Sequence, residues 1–74
     1  MIPVLITTGK NAGMLSKRIA RAFSLAIPES RFEARGKRSA AALIAKARKF
    51  HFSRFCTISE ENGEPALLSF LSLE

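Results

Sequence analysis

Aspartate is missing from this chain altogether, and cysteine and histidine occur once each, as Cys56 and His51. A lone cysteine forms no intrachain disulfide and builds no multi-cysteine zinc site, so a reducing compartment is expected and redox chemistry is not. The carboxylate that usually holds the metal in phosphoryl-transfer sites is also absent. One histidine and one cysteine do not establish a nucleophile with its base. Glu60 and Glu61 are neighbours near a turn, which point apart and read as solvated side chains. With no catalytic constellation, the chain is expected not to be an enzyme and to carry no cofactor or metal. Long apolar runs are absent too, as is a charged-then-apolar leader with a small-residue cleavage site, so neither a membrane span nor secretion is expected. The expected location is the cytoplasm, or the nucleolus in a eukaryote.

What is present is charge of one sign. The 74 residues carry twelve Lys and Arg against six acids, with a formal net charge of +6. All twelve basic side chains lie in residues 1–54, beside only Glu29 and Glu33, whereas residues 55–74 hold Glu60, Glu61, Glu64 and Glu74 and no basic residue. A basic body with an acidic end attracts polyanions over long range, and RNA or DNA is the usual cytosolic polyanion. The plainer alternative is a solvated surface that keeps the protein soluble. At this length there is one small domain, which buries only about 60% of the surface that its unfolded chain exposes.

The pattern along the chain alternates between strand and helix. Pro3 to Thr8 is apolar and β-branched at successive positions, as in a strand covered on both faces. From Asn11 the period becomes helical, with Leu15, Ile19, Ala22, Phe23 and Ala26 on one stripe, until Pro28. Ser30 to Arg35 is strand-compatible, and the turn Arg35-Gly36-Lys37-Arg38 leads to Ser39, a good helix N-cap. Residues 40–50 form a second helix with Leu43, Ile44 and Ala47 buried. Phe55 to Ser59 and Ala66 to Leu71 are strands joined by a hairpin with an Asn-Gly signal. The order β-α-β-α-β-β requires right-handed parallel crossovers followed by an antiparallel strand. The fold class is therefore α/β, a mixed sheet of order 2-1-3-4 with its helices on opposite faces, in a single domain over 1–74. The six phenylalanines read as core, with Phe32 and Phe52 the only ones conceivable as base-stacking residues.

The segment LITTGKNAG resembles a phosphate loop but does not meet its requirements. Asn11 follows Gly9-Lys10 where Ser or Thr belongs, and Val4 stands where the first glycine belongs. The dinucleotide-binding spacing is not met either. What survives is a glycine-containing turn with Lys10 before a helix N-terminus, where an anion is favoured, or else an ordinary strand-to-helix turn. In a wound sheet this turn and the Arg35–Arg38 turn lie along one edge, so two basic loops and two helix N-termini should converge there. Lys17, Arg18 and Arg21 share one exposed region of the first helix and could extend the path, although each taken alone reads better as a solvated side chain. The expected contacts to a phosphate backbone are Lys10, Lys17, Arg18, Arg21, Arg35, Gly36, Lys37 and Arg38.

VLITTGKNAG, the helix ending AIPES, the ARGKRS turn and the NGEPALLSFL hairpin resemble, in that order, the N-terminal half of Brix-domain proteins. The most specific parts are Thr7-Thr8, Pro28, Arg35-Gly36 and Gly63-x-Pro65. The resemblance implies a non-catalytic role in pre-rRNA processing and ribosomal subunit assembly, with rRNA or pre-rRNA and ribosome-assembly proteins as partners. It also implies a fold akin to the anticodon-binding domain of class II aminoacyl-tRNA synthetases. Two departures stand out: Gly9-Lys10-Asn11-Ala12 replaces the usual Ser-Arg and proline, and the sequence ends where a whole Brix domain would continue into a second half. A half-domain leaves apolar sheet surface uncovered, so self-association or docking onto another protein is expected. A protein-binding assembly module and a tRNA-binding accessory domain are the competing readings.

Overall fold

The computed structural model of the protein describes residues 3–10, 12–62 and 64–73. Asn11 of the first loop, Gly63 of the hairpin and the closing Glu74 lie outside the described residues. The elements are β1 (Val4–Thr8), α1 (Met14–Ala26), β2 (Ser30–Phe32), α2 (Ala40–Lys49), β3 (Arg54–Glu61) and β4 (Glu64–Ser72). They form one four-stranded sheet of order β2-β1-β3-β4, parallel except for the β3–β4 hairpin, as the alternation of periods required. Asn62 takes a left-handed φ of 55° in that hairpin, which asparagine tolerates better than most residues.

The helices lie on opposite faces, and β1 serves both. Val4 and Ile6 join Cys56, Ile58 and Ala20 beneath α1, with Ile19, Phe23, Ile27 and Phe32 packed around them. Leu5 points the other way and joins Phe55, Leu43 and Ala47 beneath α2, with Ile44, Phe52 and Leu73 at the border. A strand whose alternate residues feed two cores has no solvent face, hence its unbroken apolar and β-branched run. α2 begins where expected: the Ala42 amide donates to Ser39 Oγ at 3.1 Å, a cap whose removal costs about 1 kcal/mol.

Three expectations are corrected. The buried face of α1 is rotated, with Ser16 and Ala20 fully buried while Leu15 is 54% exposed and Ala22 and Ala26 face solvent. Small residues four apart let the helix settle closely on the sheet, and Ser16 is drawn inward by a hydrogen bond described below. β2 stops at Phe32 instead of Arg35, after which only the Glu33 amide continues the ladder, to the Ile6 carbonyl at 2.9 Å. Two phenylalanines are not core: Phe50 is 58% and Phe70 53% exposed.

α1 reaches only the first half of β4, through Ile19 and Phe23, and the strand is exposed along nearly all of its length. The register sets Phe70 opposite Cys56 and Leu68 opposite Ile58, so these two share the α1 face, while Leu71, opposite Phe55, is on the α2 face. Leu67, Leu68, Phe70 and Leu71 remain 42–60% exposed.

Because Leu43 is fully buried and anchors α2 to Leu5 and Phe55, Leu43→Ala should lower unfolding free energy by ~2–5 kcal/mol. Leu25→Ala, at a position 89% exposed, should change it by less than about 0.5 kcal/mol. Urea denaturation of both variants checks this, and equal effects would contradict the packing described.

Candidate nucleic-acid interface

Parallel strands deliver their following loops to one edge of the sheet. Here those are the β1–α1 turn (residues 9–13) and the β2–α2 turn (residues 33–39), and one guanidinium joins them. Arg35 Nη1 donates to the Thr8 carbonyl at 3.0 Å and its Nε to the Arg38 carbonyl at 2.7 Å. Thr7 adds a second tie, its Oγ1 donating to the Glu33 carbonyl at 2.7 Å. The turn itself is closed by the Arg38 amide on the Arg35 carbonyl at 3.2 Å. Gly36 holds a φ of +57° there, a conformation that costs any side chain with a Cβ.

Arg38 belongs to the same scaffold. It donates to the carbonyls of Arg35 and Ala34 and pairs with Glu33 at 3.0 Å, while Lys46 of α2 pairs with the same carboxylate at 2.7 Å. The Lys46 hydrogen bond is the main cause holding the Glu33 carboxyl below its ordinary value, with Arg38 adding to it against partial burial.

Between the joined turns lies a cleft of about 210 Å3, lined among others by Thr8, Gly9, Lys17, Arg35, Gly36 and Lys37. Lys17 and Lys37 are exposed and form no ion pair with a described residue, so both ammonium groups are available across the cleft. The structure therefore brings Lys17, Arg35, Gly36 and Lys37 together. Lys10 lines a separate cleft with Ser59 and Glu60. Arg18 is exposed on α1, and Arg21 sits 5.4 Å from the centroid of the Phe32 ring, a cation–π contact.

Both helix N-termini lie at this edge, and each is partly engaged from within: at α2 Ser39 Oγ accepts from the Ala42 amide. At α1 the cap is Glu60: its Oε2 accepts from the Gly13 amide at 2.8 Å and from Ser16 Oγ at 2.5 Å. These bonds, Ser16 first, hold the Glu60 carboxyl below its ordinary value. The sequence reading placed Glu60 among solvated turn residues; its role is to supply the negative charge that the α1 N-terminus favours. No sequence signal marked this contact, since 47 or 44 residues separate the partners. The hairpin carrying Glu60, Glu61 and Glu64 follows β3, parallel to β1, so the acidic end folds to the same edge as the basic turns and bounds them on the β3–β4 side. Cys56 is buried beneath α1, and burial pushes its thiol up.

Glu33 and Glu60 both have folded-state pKa values below those of the unfolded chain. Their stabilisation is complete above the ordinary value of 4.5 and is lost as pH falls through the lower folded values. Glu60→Gln keeps the shape of the cap without its charge. The fall in melting temperature from about pH 7 to about pH 3 should be smaller in this variant than in the wild type, and parallel falls would contradict the capping role.

No protein-family model matches the sequence, and no curated protein matches it. Solved structures do match. A probable ribosomal biogenesis protein from Aeropyrum pernix K1 superposes with a TM-score of 0.90 at 22% identity, over 100% of this chain and 41% of that one. Mil, an archaeal Imp4-like protein, superposes with a TM-score of 0.79 at 28% identity, over 93% of this chain and 43% of that one. The chain thus spans about two fifths of the length of these proteins. Its β-α-β-α-β-β arrangement is the architecture of one part of each.

Proposed function

We propose that this chain is a non-catalytic RNA-binding unit of ribosome assembly, with rRNA or pre-rRNA as its ligand. The observation that carries the reading is that Lys17 and Lys37, neither ion-paired with a described residue, line one cleft between turns that Arg35 ties together. A phosphate run suits such a surface because its charge is spread and no deep pocket is needed. In this reading Lys17 and Lys37 neutralise phosphates, and Gly9 and Gly36 let the RNA backbone approach closely. Lys10, Arg18 and Arg21 extend the path along the turn and α1. Arg35 and Arg38 add charge but act mainly by holding the β2–α2 turn in place. Support for ribosome assembly as the setting comes from the neighbours, one titled a probable ribosomal biogenesis protein and the other Imp4-like.

A second reading, a protein-docking module, is favoured by one specific observation. β4 is an edge strand with apolar side chains exposed on both faces and only Glu64 as a charge, which is the kind of edge that pairs with another chain. On this reading the chain self-associates through β4, its sedimentation is unchanged by RNA, and Leu68→Glu returns it to a monomer. A strict monomer at high concentration would remove the reading.

The RNA-binding reading is tested with the double variant Lys17→Ala/Lys37→Ala. Its affinity for an rRNA fragment should fall, and the slope of log K against log salt should flatten by roughly 1.4 for two contacts to a single strand. Because neither side chain is buried, stability should be unchanged. Unaltered affinity and slope would overturn the assignment.

A further inference from the structure

A second cleft lies on the α2 face at the β2 edge, away from the Lys17–Lys37 cleft. α2 packs through Leu43 and Ala47 onto Leu5 and Phe55, over β1 and β3. That leaves the α2 face of β2 uncovered, and Arg31, in register with Leu5, lies on it. The space of about 240 Å3 is lined by Leu5, Arg31, Glu33, Lys46, Phe50 and Phe52. Phe50 is the C-cap residue of α2 and is 58% exposed, with Lys49 Nζ 5.9 Å from its ring centroid. Arg31 is exposed, and its guanidinium has no hydrogen bond or ion pair with a described residue. Glu33 takes both of its ion pairs on Oε2, leaving Oε1 for another donor.

We propose that this cleft holds one unstacked base of a single-stranded RNA, stacked on the Phe50 ring. The proposal rests on the RNA-binding reading above and adds to it a base-contacting site. Each wall matches a part of a nucleotide. An exposed aromatic ring offers a stacking surface of the kind that RNA-binding modules give to splayed-out bases. The Watson–Crick edge of every base presents a hydrogen-bond donor beside an acceptor, which Glu33 Oε1 and the Arg31 guanidinium can take together. Lys49, whose Nζ lies over one side of the Phe50 ring, meets the adjoining phosphate while the base takes the other side. The volume is below the roughly 300–1,000 Å3 of pockets for drug-sized molecules, so it admits a single planar group and leaves the ribose and phosphate outside. A bare anion has no use for the ring, and an apolar side chain has none for the carboxylate and guanidinium. Arg38 of the β2–α2 turn reaches the cleft's wall through its pair with Glu33.

The test compares a short fluorescein-labelled single-stranded RNA with a duplex of the same sequence, by anisotropy, on the intact chain. Phe50→Ala should weaken single-strand binding by roughly 5- to 150-fold and leave the duplex, which has no unstacked bases, unaffected. The salt slope should not change, since an uncharged ring releases no counterions. Phe50→Tyr keeps the stacking surface and should bind like the wild type. Single-strand affinity equal to wild type in Phe50→Ala, or an equal loss on the duplex, would overturn the base site while leaving the Lys17–Lys37 cleft intact. Failure of the wild type to bind either RNA would overturn both.

Discussion

The Arg35 guanidinium is the contact on which the basic edge of this protein depends. Donating to the carbonyls of Thr8 and Arg38, it converts the free end of β1 and the turn after β2 into one wall and its opposite. Charge-assisted bonds to backbone carbonyls are among the stronger hydrogen bonds a side chain makes, and a planar guanidinium can serve two carbonyls at once, as an ammonium on a flexible stem cannot do with the same geometry. Thr7, Arg38 and the Glu33–Lys46 pair brace the same turn from below and from α2. The lysines that remain free are therefore presented from a fixed frame.

The distribution of charge along the chain takes on a different meaning once folded. Twelve basic residues precede an acidic end in sequence, yet the β3–β4 hairpin returns that acidic end to the edge where the basic turns lie. Glu60 is consumed in capping α1. The acidic hairpin repels phosphates from the β3–β4 side, so the favourable field is confined to the β1–β2 side of the edge.

Strand order, helix placement and the two-faced burial of β1 were legible because they follow from period and crossover handedness, which are local or topological. The rotated face of α1 was not, because Ser16 looks polar in sequence and is buried only through its bond to a glutamate on β3. Arg35 and Arg38 looked like free cations for a similar reason: the groups that engage them are mostly backbone carbonyls, which every residue carries and no motif reveals. Phe50 looked like core because it ends an amphipathic helix, but the chain turns at His51, at a φ of 63°, and leaves the ring outside. Counting charges and rings thus brought the basic turns to one edge of the sheet without distinguishing the side chains that build it from those that are available.

The match to about two fifths of two longer proteins and the exposed apolar residues of β4 make one choice central: whether ligand engages the basic edge or the open strand. Amide chemical-shift mapping by two-dimensional NMR, with single-stranded RNA titrated into the labelled chain, measures this directly. Binding at the edge shifts the amides of Gly9, Lys17, Gly36 and Lys37 and leaves Leu67 to Leu71 in place. Shifts confined to β4, or none anywhere at low salt, would contradict it.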